Sequence, residues 1–156
     1  MLSPPDTSWD FGSFVLYEPV TVLTDLLVTA VCWHAAYQLR KAQHNELQRL
    51  FYWYFVSMGL ATAWGGIIGH GFVVQLGFGW KLPGWIISMF SVALIERAAI
   101  YHTGPFLPKN WGNRLALLNI VELLSLLLVV LLTRQFFFVE AHAFYGLMIV
   151  VAGLES

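Results

Sequence analysis

Long apolar segments constrain the fold of this chain more than any other feature. Four of them are long enough to cross a membrane, because a spanning helix needs about 20 mostly apolar residues. A fifth segment, of about 16 residues, would form a helix of about 24 Å and fall short of the ~30 Å hydrocarbon core. We therefore predict an all-α, polytopic transmembrane helix bundle with four full spans and a fifth short or truncated helix. The predicted helices cover residues 16–39, 50–74, 83–101, 115–138 and 139–154.

The composition supports a membrane location. Of the 156 residues, 58% are hydrophobic and 11% are charged, whereas soluble domains are about 25% charged. A chain this short cannot bury so much apolar surface in one aqueous core. We expect residues 1–156 to form a single integral membrane domain in contact with lipid. The formal net charge of −1 and the lack of a basic run in the sequence argue against a nucleic-acid partner.

Basic residues in the loops predict the orientation of the bundle. The second and fourth loops carry Lys81 and Arg134. The first and third loops carry more basic residues, namely Arg40, Lys41, Arg49, Lys109 and Arg114. Since cytoplasmic loops are enriched in Lys and Arg, we expect the first and third loops to be cytoplasmic. The N-terminus would then lie outside, in a periplasm or a lumen.

A face of small residues follows the second predicted helix. Gly59, Ala63, Gly66 and His70 are spaced by four, three and four residues, so they share one side of the helix. Small residues on such a face allow another helix to approach closely. This face favours a structural or assembly subunit of a membrane complex. Such a subunit would bind other membrane subunits, or a second copy of itself, through Gly59, Ala63 and Gly66.

Ionisable residues inside membrane segments are candidates for function, because they are costly to bury there. Glu18 lies near the outer end of the first helix, and Asp25 lies on the same face. His70 lies near the outer end of the second helix, and His142 lies near the outer start of the fifth. Two imidazoles and a carboxylate with an open position for water form a typical catalytic zinc set. The topology therefore predicts a metal site made by His70, His142, Glu18 and Asp25.

A second polar group lies toward the cytoplasmic side of the third and fourth helices. Glu96 and Arg97 are on the third helix, and Glu122 is on the fourth. Arg97 could neutralise either carboxylate, and buried charges are usually paired. We predict that these residues form a structural ion pair that fixes the packing of the two helices.

The glycines around His70 allow another interpretation. A haem or a chlorophyll needs an axial ligand and a flat space for its macrocycle, and histidine is a common axial ligand of haem iron. Gly66, Gly69 and Gly71 would leave such a space beside His70. A haem- or chlorophyll-binding membrane subunit is therefore an alternative function.

Two stretches carry a resemblance to a known family. The N-terminal "TSWDFGSFVLYEPVTVLTDLL" and the later "YWYFVSMGLATAWGGIIGHGFVV" resemble the first part of the alkaline ceramidases. That family belongs to a superfamily of seven-helix membrane hydrolases and receptors that includes the progestin and adipoQ receptors. The resemblance implies a zinc-dependent hydrolase of lipid amides or esters, with His70 as a zinc ligand. It also implies a calcium site near Asp10 and Glu18, which match the acidic segment of the ceramidases.

The chain departs from the ceramidase pattern at several positions. Gly66 stands where the family has a serine, and Lys81 stands where it has an aspartate. The HxxxH pair of the last ceramidase helix does not occur in these 156 residues. The sequence thus leaves open whether the chain is an enzyme. It favours a membrane subunit, or a diverged member of the ceramidase-like scaffold, with a polar intramembrane site around His70.

Overall fold

The computed structural model describes residues 7–41 and 44–155, and most of them are helical. This confirms the predicted all-α class. The helices are α1 (Pro19–Leu39), α2 (Glu46–Trp64), α3 (Val73–Leu76), α4 (Leu82–Thr103), α5 (Trp111–Thr133), α6 (Phe137–Phe144) and α7 (Ala152–Glu155). Two π-helical segments, Gly65–Gly71 and Tyr145–Val151, continue α2 and α6. Each predicted apolar segment therefore corresponds to a helical stretch.

A short β-hairpin precedes the first helix, where the sequence suggested no strand. Strand β1 (Ser8–Asp10) pairs antiparallel with β2 (Val15–Tyr17), with Trp9 opposite Leu16. In the turn, the carboxylate of Asp10 accepts a hydrogen bond of 2.7 Å from the backbone N–H of Gly12. Gly12 has a φ of 77°, which glycine adopts without steric cost. The hairpin delays the start of α1 to Pro19 instead of the predicted residue 16.

The helices form a consecutive antiparallel arrangement with α4 at its centre. Helix α2 packs between α1 and α4, and α4 also contacts α5, α6 and the π-helical segment that follows α6. Helix α4 has the longest row of buried residues. Its Met89 is fully buried and forms a core with Val130 of α5 and Val139 of α6. Side chains on α4 are therefore the ones most shielded from the surroundings.

The bundle has two ends, which we name by their residues. The hairpin end carries residues 8–17 and 64–82, where Gln75 donates a hydrogen bond of 2.7 Å to the backbone carbonyl of Val15. The distal end carries residues 40–41, 44–46 and 103–111. At the distal end, the side chain of Asn45 accepts a hydrogen bond from the backbone N–H of Gln48. This N-cap starts α2 at Glu46, earlier than the predicted residue 50.

Among the described residues, three helical stretches are long and apolar enough to cross a membrane: Pro19–Leu39, Phe78–Phe106 and Trp111–Thr133. Helix α2 is not among them, because its first turn carries Glu46, Gln48 and Arg49. The fourth full span therefore stays a prediction. On α5, Leu124 is 58% exposed and Leu132 is 76% exposed. Such extensive apolar surface is rare on soluble monomers and is typical of proteins that face lipid.

Candidate functional site

The first histidine–carboxylate contact joins the hairpin to the end of α2. Glu18 follows β2 directly and has a left-handed backbone conformation, with a φ of 45°. This conformation is unusual for a residue with a side chain and marks a position held by its surroundings. Its carboxylate accepts a hydrogen bond of 2.8 Å from Nδ1 of His70. We call Glu18 and His70 the hairpin-end pair.

His70 lies in a π-helical segment, which explains much of its glycine-rich neighbourhood. The backbone N–H of Phe72 bonds to the carbonyl of Ile67, five residues earlier, at 3.0 Å. Such π-helical turns are rare and occur frequently at functional sites. The glycines fall into two groups. Gly66 and Gly71 are buried against α1 and the hairpin, whereas Gly65 and Gly69 line a cavity.

This hairpin-end cavity has a volume of about 350 Å³. Its polar side includes Asp25, His70 and Lys81. Its apolar lining includes Trp85 and Phe136, so aromatic and charged side chains border the same space. Of the three glycines that were expected to leave space beside His70, Gly69 borders this cavity. Gly66 and Gly71 instead pack against α1 and the hairpin, so a flat space for a macrocycle stays a prediction. Three of the four residues predicted for the metal site, Glu18, Asp25 and His70, lie in or beside this region.

The second histidine–carboxylate contact lies inside the bundle, between α4, α5 and α6. Nδ1 of His142 lies 2.7 Å from Oε1 of Glu122, and Nε2 of His142 lies 2.9 Å from the carbonyl of Met89. The amide of Asn119 donates a hydrogen bond of 2.8 Å to Oε2 of Glu96. One possible ligand atom from each of Glu96, Glu122 and His142 lies within 4.8 Å of the other two. We call these three residues the buried cluster.

The buried cluster contains more acceptors than donors. Glu96 and His142 are fully buried. Within the described part of the chain, Oε1 of Glu96 and Oε2 of Glu122 are buried without a hydrogen-bond partner. Gly146, in the second π-helical segment, allows the backbone to pass beside Glu96, since a Cβ at this position would overlap Oε1 of Glu96. Each of the two carboxylates thus has one buried oxygen that no hydrogen-bond donor of the described residues satisfies.

The structure divides the residues that were predicted to form one metal site. His142 belongs to the buried cluster, where both ring nitrogens have partners, whereas His70 lies at the hairpin-end cavity. Depth in the membrane was the basis for grouping them, but depth says nothing about which neighbour a helix turns toward. Across residues 7–41 and 44–155, the buried cluster is the one group of three or more such residues with ligand atoms close enough to share a metal ion. Zinc binding at the hairpin-end pair therefore stays a prediction. Among the described residues, no third ligand atom lies close enough to Glu18 and His70 to share an ion with them.

The predicted ion pair of Arg97 is replaced by other contacts. Glu122 pairs with His142, and Glu96 pairs with Asn119. Arg97 lines a cavity of about 790 Å³ at the distal end, together with Lys109. The physical reason is the helical geometry, because consecutive residues point in directions about 100° apart and cannot face the same cluster.

The small-residue face of α2 packs within the chain. A Cβ at Gly59 would overlap the indole of Trp33, and a Cβ at Gly66 would lie 2.7 Å from Cβ of Asp25. Both contacts are with α1. The surface that the sequence assigned to partner subunits is thus used for an intrachain contact. Near the predicted calcium site, Asp10 caps the hairpin turn and Glu18 bonds His70, so calcium binding there stays a prediction.

The fold and these sites are those of a helical protein with three candidate membrane spans in its described residues and two histidine–carboxylate centres. The profile of the family of unknown function DUF6962 matches residues 20–156, and the chain belongs to this family. The match includes His70 and the whole buried cluster, and it begins two residues after Glu18. No curated protein and no solved structure matches the chain. The resemblance to the alkaline ceramidases therefore stays a prediction.

Proposed function

We propose that this chain binds an amphiphilic molecule from the membrane in the hairpin-end cavity, beside the Glu18–His70 pair. The observation that carries this proposal is the cavity of about 350 Å³ with His70 on its wall. Its volume is at the lower end of the ~300–1,000 Å³ that small-molecule sites occupy. Such sites combine apolar walls with a few polar groups that orient the ligand.

The chemistry of the walls indicates the class of ligand. Trp85 and Phe136 provide apolar contacts for a chain or a ring. Asp25, His70 and Lys81 provide charges of both signs for a polar head that carries both donors and acceptors. A molecule with an apolar chain and an amide or ester head matches this combination of lining residues. It would reach the cavity from the lipid that surrounds the exposed apolar faces.

A second candidate function is hydrolysis of that amide or ester. The bond between His70 Nδ1 and Glu18 favours it, because a carboxylate that fixes an imidazole leaves the second nitrogen available. Nε2 of His70 would take a proton from water as the water attacks the carbonyl carbon. Lys81 would stabilise the negative charge that develops on the carbonyl oxygen. The C–N or C–O bond would then break, and His70 would return the proton from Nε2 to the departing amine or alcohol.

We also propose that the hairpin end faces outside, as the distribution of basic residues predicts. A Ser13→Cys variant in a Cys32→Ser background would place a single thiol on the hairpin. A membrane-impermeant maleimide should label this thiol in sealed vesicles whose outer surface is the periplasmic or lumenal face. Labelling only after the vesicles are permeabilised would contradict the proposed orientation.

Binding can be tested with a photoactivatable long-chain fatty amide in lipid nanodiscs. The Gly65→Leu variant would fill the cavity, because a Cβ at Gly65 has no atom within 4 Å and the residue lines the cavity. We expect labelling of the peptide that contains Trp85 to fall about tenfold, equivalent to about 1.4 kcal/mol. Gly79→Leu is the matched control, since Gly79 also has open space but does not line the cavity.

Equal labelling of wild type and Gly65→Leu would contradict the proposed binding site. Hydrolysis has its own readout, which is release of the fatty acid from the same amide. Release that continues unchanged in His70→Gln would rule out the proposed role of His70. A Soret band in the purified wild-type protein would instead support the tetrapyrrole alternative.

A further inference from the structure

The buried cluster has a deficit of positive charge. Glu96 and Glu122 each carry a negative charge when ionised, and burial of an unpaired charge is expensive. Of the described residues, Arg97 is the cation nearest in sequence, and it lines the distal cavity instead of pairing with either carboxylate. The amide of Asn119 donates one hydrogen bond to the cluster, to Oε2 of Glu96. Something positive must therefore compensate the remaining carboxylate oxygens.

The hydrogen bonds of His142 show where a positive species belongs. The carbonyl of Met89 is an acceptor only, so Nε2 of His142 must carry a proton and donate to it at 2.9 Å. In the neutral imidazole, Nδ1 then has a lone pair, and this lone pair faces Oε1 of Glu122 at 2.7 Å. Two lone pairs at that distance repel unless a proton or a metal ion lies between them. A ring N–H bonded to a backbone carbonyl is the usual way in which proteins orient a metal-binding histidine.

We propose that the buried cluster binds a divalent first-row transition metal ion of the zinc class, held by His142 Nδ1, Glu122 and Glu96. A divalent ion would neutralise both carboxylates, each of which has one buried oxygen without a hydrogen-bond partner among the described residues. One imidazole and two carboxylates suit zinc, manganese or iron better than calcium or magnesium, which prefer oxygen ligands alone. Water would occupy the fourth position, as in zinc sites with three protein ligands.

The distances allow this with small movements. Ligand atoms about 2.1 Å from a tetrahedral zinc ion lie about 3.4 Å apart. Nδ1 of His142 and Oε1 of Glu122 would separate by roughly 0.7 Å, while Glu96 would move toward them. The side chain of Glu122 is 18% exposed, so the cluster is not fully enclosed on that side.

Metal binding can be measured directly on the purified full chain in detergent. The protein is stripped with a chelator, incubated with zinc, desalted and analysed by mass spectrometry for metal. We expect about one zinc ion per wild-type chain, and at least roughly tenfold weaker binding in Glu122→Gln and Glu96→Gln. Glu140→Gln is the matched control, because Glu140 is exposed on the same helix as His142. It should bind zinc like the wild type.

Two further readouts keep the result clear if a variant folds poorly. Zinc should raise the unfolding temperature of the wild type, and cobalt should give visible absorption bands that are lost in Glu122→Gln. A folded wild-type protein that binds no zinc and shows no such shift would overturn the proposal, since protons alone would then neutralise the cluster. Full zinc binding by Glu122→Gln would overturn it as well. His70→Gln should keep zinc even if it loses the fatty amide, which separates this proposal from the proposed function.

Discussion

The two histidine–carboxylate centres share the same contact and differ in their surroundings. The Nδ1–carboxylate distance is 2.8 Å for His70 and Glu18, and 2.7 Å for His142 and Glu122. The side chains of His70 and Glu18 are 34% and 32% exposed, whereas that of His142 is fully buried. An exposed pair of this kind contributes little to stability, because water can replace either partner. In the buried cluster each polar atom depends on a protein partner or a bound ion.

Both centres also lie beside π-helical turns, but these turns have different consequences. The segment Gly65–Gly71 borders the hairpin-end cavity, and two of its glycines leave space there. The segment Tyr145–Val151 brings Gly146 against Glu96 and leaves no space for a Cβ. A π-helical segment therefore borders an open cavity at the first centre and packs tightly against a carboxylate at the second.

The largest expected difference is the effect of removing each histidine. His142→Ala leaves Glu122 and the Met89 carbonyl without their partner, so we expect a loss of about 3–5 kcal/mol in the free energy of unfolding. His70→Ala should lose about 1 kcal/mol or less, because its pair is partly exposed. Unfolding by sodium dodecyl sulfate in mixed micelles measures both values. Equal losses would contradict the contrast between the two centres.

A smaller effect is expected at Asn119. Asn119→Ala removes the donor to Glu96 and should cost about 1.5–3 kcal/mol, the range for hydrogen bonds to charged groups. Asn113→Ala is the control on the same helix, and it should change stability by no more than about 0.5 kcal/mol because Asn113 is exposed. The same unfolding experiment applies. Similar values for the two variants would show that Glu96 does not need this donor.

The two π-helical segments can be compared through their glycines. Gly146→Ala should cost about 1–3 kcal/mol, because the added Cβ would overlap Glu96 and Val92. Gly69→Ala should be neutral or stabilise the protein by about 0.4–1 kcal/mol, since the nearest atom is Cγ of Lys81 at 3.9 Å. Thermal unfolding of the two variants reveals the sign of each change. Destabilisation by Gly69→Ala equal to that by Gly146→Ala would show that both segments are tightly packed.

The smallest effect is expected for Glu18→Gln. The amide oxygen of glutamine can still accept the hydrogen bond from His70, so only the charge is lost. We expect a change of about 0.5–1 kcal/mol. Unfolding in the same micelles measures it. A loss above that range would show that His70 depends on the charge of Glu18 as strongly as the residues of the buried cluster depend on one another.

Hydropathy predicted the helical stretches, because each apolar segment must lie in a helix to satisfy its backbone in lipid. The hairpin was missed, although "DFGS" between two short strands contains a typical turn signal at Gly12. The bounds of α1 and α2 differ from the prediction because the hairpin and the Asn45 cap decide where these helices begin.

The sequence predicted contacts between site residues only where the depth of a residue along its predicted membrane span determines its neighbours. Glu18 and His70 were placed at one level and do meet. His142 was placed at the same level, but its helix turns toward α4 and α5, which hydropathy does not encode. The spacing of Asn119 and Glu122 by three residues puts them on one face of α5 and could have revealed the buried cluster. The π-helical turns depend on tertiary contacts, and sequence patterns for them are weak.

The most direct test of the contrast is chemical access to the two imidazoles. Diethyl pyrocarbonate modifies imidazole nitrogens, and peptide mass spectrometry identifies the modified histidine. The structure predicts rapid modification of His70, which lines a cavity, and protection of His142, which is fully buried with both nitrogens bonded. Both should react once the protein is unfolded. Modification of His142 at the same rate as His70 in the folded protein would contradict the account.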